Sequence, residues 1–454
     1  MAASRDNFGS RFSVIMAMAG SAIGLGNIWR FPYIMGQGGG AAFIVVYLLA
    51  TIFLSMPILL SESIIGRRTQ SNAFGAMDKL APSTKWKYIG LLSIFSPLVV
   101  LSYYSVVGGW SVDYLLRSLT LEFTPRSMDS FSATFGGFIS SVWGPLVCHT
   151  AFLAMTAIIV GVGVKKGIEK FAVTMMPLLF VLMVVILIYS VSLPGAKEGI
   201  EYLIRPDFSK LNGSTIAAAV GQAFFSMSLG VGVMLVYASY IKKDENLLAS
   251  GMGSAGFDML FALISGFAVM PAVFAAGIAP GSGPGLVFES LPYVFASMGL
   301  SARWLSAAVA ILFFFSILIA ALSSSISMLE AGVAYLVEEK HFSRWKAVAV
   351  LFCCTWVVGT LCSLSFGPLK GFLIFGSPFF EFCDKLTSNF LMAIGGLLFS
   401  VFVGWKMNKA DVRDEFTNGG TKKLNAAIFP FVLFLIRFVV PLGIIAIFVT
   451  TVLL

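Results

Sequence analysis

Charge is scarce in this sequence: Asp, Glu, Lys and Arg make up 11% of its 454 residues, while apolar types make up 58%. A water-soluble chain of this length would need about 25% charged residues to cover its surface. Here 52 charges cannot do so, and 43 Phe would find no interior to fill. With a mean hydropathy of +0.92, the composition excludes a cytosolic enzyme, a disulfide scaffold and a disordered regulator. Histidine is rarer still: His149 and His341 stand alone, and no HExxH occurs. No GxxxxGK[ST] phosphate loop occurs either, which argues against ATP-driven work. A near-miss, Gly161-Val-Gly-Val-Lys-Lys-Gly167, has the wrong glycine spacing for a dinucleotide site and falls at a turn between helices. The five cysteines are odd in number and form no CxxC, so they read as small apolar fillers of buried helices.

What the chain has instead is a succession of apolar runs of membrane-crossing length. The first twelve residues, MAASRDNFGSRF, carry no compact apolar core with a small-residue cleavage site, so no removable signal is expected. Eleven helices are expected at about 11–36, 41–66, 88–116, 137–163, 167–191, 214–240, 252–278, 302–336, 345–364, 383–405 and 425–452, numbered helix 1 to helix 11 below. With the N-terminus inside the cell, 20 Lys and Arg fall in inner segments and 8 in outer ones, with Arg30 and Arg437 inside spans. That asymmetry fixes the orientation, with the C-terminus outside after eleven crossings. It also explains the net charge of +8 without nucleic acid, because the basic loops face anionic lipid.

Two helices have polar, Gly-rich centres. In helix 1, Gly20, Gly24 and Gly26 lie beside Ser21 and Asn27; in helix 6, Ser226 and Ser228 precede Gly230 and Gly232. Each weak point lies about ten residues, roughly 15 Å, from its helix end, which is mid-membrane. Close helix packing through small residues would explain one such helix. Two of them, five spans apart and hence antiparallel, fit the paired interrupted segments of an inverted-repeat transporter. A break frees N–H groups for an anion and C=O groups for cations.

The stretches Ala17-Met-Ala-Gly-Ser-Ala-Ile-Gly-Leu-Gly-Asn-Ile-Trp-Arg-Phe-Pro32, Gly221-Gln-Ala-Phe-Phe-Ser-Met-Ser-Leu-Gly230 with Tyr237-Ala-Ser-Tyr240, and Ala320-Ala-Leu-Ser-Ser-Ser-Ile326 resemble the neurotransmitter:sodium symporter family. Within it, they are most similar to bacterial members that carry hydrophobic amino acids. The resemblance runs from about residue 5 to about residue 405, and broken helices 1 and 6 are a known property of the family. It implies an all-α polytopic membrane protein with a leucine-transporter-like core of two inverted five-helix repeats, about 11–191 and 214–405. Residues 406–454 would form a cytoplasmic loop and the additional helix 11. The implied activity is sodium-coupled symport of aliphatic and aromatic L-amino acids across the plasma membrane by alternating access, with no covalent chemistry.

By the same resemblance, the substrate carboxylate meets the N–H groups of Gly24, Leu25 and Gly26 and the Tyr104 hydroxyl, and the ammonium meets carbonyls around Phe225, Ser226 and Ser228. Val100, Tyr104, Phe225, Ser228, Val231, Ser324 and Met328 form the side-chain pocket. Val231 is smaller than the aromatic residue of leucine-selective relatives, so bulky side chains should fit. The first sodium site uses Ala22, Asn27, Ser226 and Asp258 with the substrate carboxylate; the second uses Gly20, Ile23, Ala320, Ser323 and Ser324. Serine replaces the family's common threonine at 226 and 323, and Asp258 replaces its usual asparagine. That extra carboxylate makes a chloride ion redundant, so no chloride requirement is expected.

Arg30 and Asp384 resemble the outer gate, with Tyr104 and Phe225 as an aromatic lid beneath it. Arg5 and Glu338 resemble the inner gate, supported by Ser239 and Tyr240, although pairing within surface loops would explain these as well. Glu62 resembles the brace of the unwound stretch of helix 6. Gly167 and Pro177 mark a helix 5 hinge; a packing kink is the plainer account. Glu330 has no assignment. A sodium- or proton-coupled carrier of amines or other organic cations is the nearest rival, and it would be expected to place an acid where Gly24 stands. An integral-membrane lipid enzyme would need an acid/base pair or metal cluster, for which Asp258 and Glu62 are too isolated. A channel would lack gates on both sides.

Overall fold

The computed structural model describes residues 6–277, 285–298 and 303–453. Apart from one short hairpin pairing Leu373–Ile374 with Ser377–Pro378, its regular structure is helical. Among the described residues, nine helices are long and apolar enough to cross a membrane. These are Ala41–Thr69, Lys87–Leu119, Trp143–Val162, Val164–Val191, Leu247–Ala275, Trp304–Glu338, Arg344–Leu364, Phe379–Lys406 and Lys423–Val449, which are helices 2 to 5 and 7 to 11. Helix 1 adds a tenth as two pieces, Arg11–Ala22 and Gly26–Gln37, bent by 61°. Helix 6 reaches eleven only if its two short pieces, Gly213–Ser226 and Val233–Ala238, are counted together.

Local chemistry sets the helix starts. Ser10, Asn212 and Asn246 each accept a backbone N–H from the first turn of helices 1, 6 and 7, which satisfies donors that the helix leaves open. Helix 4 begins later than the expected residue 137. A separate helix, Met128–Ser140, precedes it, capped by Ser127, and the chain turns extended at Ser141. Pro145, in the first turn of Trp143–Val162, has no N–H to contribute there. Short helices Ala73–Leu80, Ala196–Ile204, Leu286–Met298 and Lys409–Thr417 connect the spans.

Helices 3 and 8 form the most extensive packed pair, and the two broken helices lie beside them. The cysteine expectation needs correction. Cys148, Cys362 and Cys383 are buried, but Cys353 and Cys354 are exposed, and all five are free. Helix 9 also exposes Val350, Val357 and Leu361, so this adjacent cysteine pair sits on an apolar outward face.

At the end of helix 2, Arg67 is fully buried. Its Nε lies 2.5 Å from Glu415 Oε1, and its guanidinium also reaches the backbone carbonyls of Glu245 and Glu415. Arg68 pairs with Asp411 at 2.6 Å and Asp414 at 2.7 Å. Lys243 joins at 3.3 Å from Glu415. Burial holds its ammonium below the ordinary lysine range, with Arg67 and Arg68 adding to this and Glu415 opposing it. The cluster fastens the Lys409–Thr417 connector to helix 2 and to the loop after helix 6.

Candidate functional site

Helix 1 stops being helical at Ile23, whose ψ of 111° turns the chain extended. Of the amides freed there, Leu25 N–H donates to the Tyr104 hydroxyl at 3.3 Å and Gly24 N–H to Asn27 Oδ1 at 3.4 Å. A Cβ on Gly24 would stand 2.8 Å from Ser324 Oγ and 3.0 Å from Tyr104 Oη. Only a glycine lets helices 3 and 8 bring those hydroxyls against the backbone. Helix 6 breaks through left-handed backbone at Ser228, Gly230 and Gly232, with φ of 51°, 79° and 72°. For Ser228 that conformation is strained. Its hydroxyl donates to the Ser21 carbonyl at 3.0 Å, tying the two breaks together.

Every residue expected to hold substrate lines one cavity of about 30 Å³: Gly24, Leu25, Gly26, Val100, Tyr104, Phe225, Ser226, Ser228, Val231, Ser324 and Met328. Ala22, Asn27, Pro97 and Met392 complete it. The last two were missed. Pro97, Val100 and Tyr104 are spaced three and four apart, so one helix face carried the signal for Pro97; nothing in the sequence pointed to Met392. Part of the cavity wall gathers hydroxyls and backbone amides, where Tyr104 and Ser324 meet Gly24 and Leu25, and the lining also carries the apolar side chains of Pro97, Val100, Val231, Met328 and Met392. Of the carbonyls expected to meet an ammonium, that of Phe225 also accepts the Ser228 N–H at 3.1 Å.

Beside the cavity, Asp258 is fully buried. Its carboxylate accepts from Asn27 Nδ2 at 2.8 Å and from Ser226 Oγ at 2.8 and 2.9 Å. The Tyr47 hydroxyl adds a longer donor at 3.4 Å, a contact with no sequence signal. Asn27 Oδ1 lies 3.3 Å from Ser226 Oγ. Oxygen atoms from four helices, 1, 2, 6 and 7, thus converge where a hard monovalent cation would find ligands. On the other side of helix 1, Ser323 and Ser324 both donate to the Ile23 carbonyl at 3.2 Å, and Ser323 also donates to Ala320 at 2.8 Å. The ideal Cβ of Gly20 lies 3.5 Å from Ser323 Cβ. The five residues of the second expected sodium set therefore stand together. Ser21, named from sequence only as part of the polar centre of helix 1, and Ser327, which had no sequence signal, bridge helices 1 and 8 at 2.8 Å. Among the described residues no group of three or more His, Cys, Asp or Glu is gathered for a transition metal.

Glu62 lies at the helix 6 break: its carboxylate accepts the Gly230 N–H at 2.7 Å and the Leu235 N–H at 3.4 Å. The residues expected to form gates are less simply arranged. Among the described residues no ion pair within 4.0 Å joins Arg30 to Asp384. The Arg30 guanidinium lies 5.4 Å from the centre of the Phe225 ring, and Asp384 accepts from Ser388 at 3.0 Å. Arg5 lies outside the described residues, so its pairing with Glu338 has no geometry. Glu338 accepts from Asn72 N at 2.8 Å and Nδ2 at 3.0 Å, and Ser239 donates to the Val236 carbonyl at 2.5 Å. The Tyr240 hydroxyl donates to Glu330 at 2.6 Å, so the carboxylate left unassigned meets this tyrosine. Arg344 pairs with Glu330 and also donates to the Val160 carbonyl at 2.7 Å. Gly167 sits in a π-turn, Val164–Glu169, and Pro177 inside Lys170–Val191. Helix 5 is wound at both positions.

A family model described as the sodium:neurotransmitter symporter family matches residues 5–134 and 139–454. The chain belongs to that family. It is 38% identical to an uncharacterised sodium-dependent transporter, YhdH, of Bacillus subtilis, covering 97% of this chain and 96% of that one. It is 33% identical to an uncharacterised sodium-dependent transporter of Haemophilus influenzae, covering 98% of each. The crystal structure of MhsT in complex with L-phenylalanine superposes with a TM-score of 0.89 at 40% identity, over 98% of this chain and all of that one. This member of the sodium:neurotransmitter symporter family is a sodium-dependent, multi-pass membrane transporter of the leucine-transporter-like fold, not an enzyme.

Proposed function

We propose that the protein carries hydrophobic L-amino acids, aliphatic and aromatic, into the cell together with sodium. The observation that carries this reading is a cavity whose lining combines polar backbone and hydroxyl groups with apolar side chains. The Gly24, Leu25 and Gly26 amides and the Tyr104 hydroxyl suit a carboxylate, while Val100, Val231 and Met328 offer an apolar wall. Gly24 supports an amino acid over an amine, because no acid stands there to meet a lone cation. The 40% identical neighbour holding L-phenylalanine points the same way. Two methionines, Met328 and Met392, bound the small cavity, and such unbranched side chains can repack around different guests.

Two sodium ions accompany the substrate in this reading. The first lies among Ala22, Asn27, Ser226 and Asp258 and shares the substrate carboxylate. Its entry replaces hydrogen bonds that Ser226 and Asn27 now make to Asp258, and shared ligation links the two affinities. The second lies among Gly20, Ile23, Ala320, Ser323 and Ser324. Asp258 supplies the counter-charge, so chloride is not required. The N-terminus faces the cytoplasm; Arg30 with Asp384 closes the outer side, and the inner side closes around Tyr240, Glu330 and Glu338. Glu62 holds the helix 6 break, and helix 5 opens between Gly167 and Pro177 to release the second sodium.

The test is ligand-dependent thermal stability of the purified transporter with each amino acid, in sodium and in potassium. Leucine, phenylalanine and tryptophan should stabilise it only in sodium. If they do no better than glycine or glutamate, the pocket assignment fails; if amines without a carboxylate stabilise it equally, the organic-cation reading replaces it.

A further inference from the structure

Helices 4 and 5 form a hairpin with almost no connection. Helix 4 ends at Val162, Gly163 turns at φ +114°, and helix 5 begins at Val164 with a π-turn. The two backbones touch: a Cβ on Gly167 would lie 2.0 Å from the Ile159 carbonyl oxygen. That close approach leaves an outward-facing groove of about 280 Å³ between the helices. Lys166 and Lys170 stand at its rim, one helical turn apart, with Thr174 a turn further along the same face. All three are exposed. Among the described residues, neither lysine has an ion-pair partner. The nearby acid, Glu169, is engaged elsewhere, accepting the Gly9 N–H at 3.0 Å. Below the rim the groove is apolar, lined by Ile158, Val162 and Phe171. On the same helix 4, Gly161 packs against Trp345 of helix 9, an exposed indole, as aromatic side chains do at a membrane boundary.

We propose that this groove binds an anionic phospholipid, with the phosphate on Lys166 and Lys170 and an acyl chain along Ile158, Val162 and Phe171, and that the lipid holds the start of helix 5 in its wound form. A soluble phosphate would use the lysines and leave the apolar floor unused; a zwitterionic lipid would fill the floor and bring no net charge to the lysines. Basic pockets between spans at a membrane surface suit anionic head groups. The link to helix 5 follows from register. Lys166 and Lys170 face one way only while the turn between them is helical, so unwinding separates the two ammonium groups that grip the phosphate. A ligand that binds one of two states more tightly stabilises that state. Helix 5 is held from both sides, because its Met176 sulfur lies 3.1 Å from the ideal Cβ of Gly20 at the second expected sodium set. The consequence for transport rests on the proposed role of helix 5; the binding itself does not.

The test uses the full-length protein in nanodiscs of phosphatidylcholine, with or without phosphatidylglycerol, compared with the double variant K166Q/K170Q. Native mass spectrometry counts retained lipid, and hydrogen exchange follows backbone amides 164–176. The wild type should retain at least one more phosphatidylglycerol than the variant. Its exchange over 164–176 should slow in phosphatidylglycerol, an effect absent from the variant. Equal retention by the two proteins, equal retention of phosphatidylcholine, or the same protection from inorganic phosphate in phosphatidylcholine discs would overturn the proposal. Neither readout needs sodium or an amino acid, so failure here is separable from failure of the symport reading.

Discussion

A carboxylate at position 258, fully buried and surrounded by Asn27, Ser226 and Tyr47, concentrates the electrostatic question of this site in one side chain. Asp258→Asn keeps the shape and one acceptor but removes the charge. In proteoliposomes, its sodium half-saturation for uptake should rise by about tenfold, equivalent to roughly 1.4 kcal/mol, and its uptake should become stimulated by chloride. Wild-type uptake should not change when gluconate replaces chloride; equal sodium dependence in both proteins would remove Asp258 from the first sodium set. Gly24→Ala tests the other end of the cavity. Its methyl would collide with Ser324 Oγ and Tyr104 Oη, displacing the hydroxyl proposed for the carboxylate. Amino-acid affinity should fall by about ten- to a hundredfold, or roughly 1.4–2.8 kcal/mol, as read by competition binding. Residues such as Gly24 and Asn27 were legible because an unusual motif carries them through an apolar span. Tyr47 was not, because one tyrosine in an ordinary apolar helix looks the same whether or not it faces an acid.

Among the elements, helix 5 has the clearest mechanical prediction. Pro177 lacks an N–H, so the Val173 carbonyl loses its ordinary i+4 partner, and the first turns are the cheapest to open. Pro177→Ala restores that bond. Turnover should slow several-fold with substrate affinity largely unchanged, as measured by uptake rate against equilibrium binding; an unchanged rate would make the proline a packing kink. The two breaks were legible as clustered Gly and Ser at mid-span, and the serine run of helix 8 was legible through its motif. The start of helix 4 was not. Apolar Phe138, Ile139, Val142 and Trp143 flank only two small serines, Ser140 and Ser141, and the extended backbone at Ser141 divides one helix from the next. Glu330 was equally opaque, since its partners come from helices 6 and 9. Sequence spacing says little about side chains that meet across three elements.

For the molecule as a whole, the buried Arg67–Glu415 pair ties together segments almost 350 positions apart in the chain. Neither the connector Lys409–Thr417 nor its attachment was legible, because a short charged helix reads as an ordinary solvated loop. Removing one partner leaves the other charge buried and unmatched, which costs about 3–5 kcal/mol. Glu415→Ala should therefore lower the thermal midpoint markedly in detergent, and Arg67→Met with Glu415→Leu should recover much of the loss. If the single variant melts like the wild type, the buried pair adds nothing to stability. A different joint sets how motion spreads. The helix 6 break rests backbone to backbone on helix 10: a Cβ on Gly230 would lie 2.0 Å from the Met392 carbonyl oxygen, and one on Gly395 would lie 1.8 Å from that of Gly230. No compressible side chain separates the two, so a displacement at the break passes to helix 10 undamped. Asp384 lies eleven residues along that helix from Gly395, about 16 Å away. Helix 10 then works as a lever, its Met392 on the cavity wall and its Asp384 beyond the π-turn Leu386–Leu391, and a label at the Asp384 end would report the filling of a cavity that end never touches.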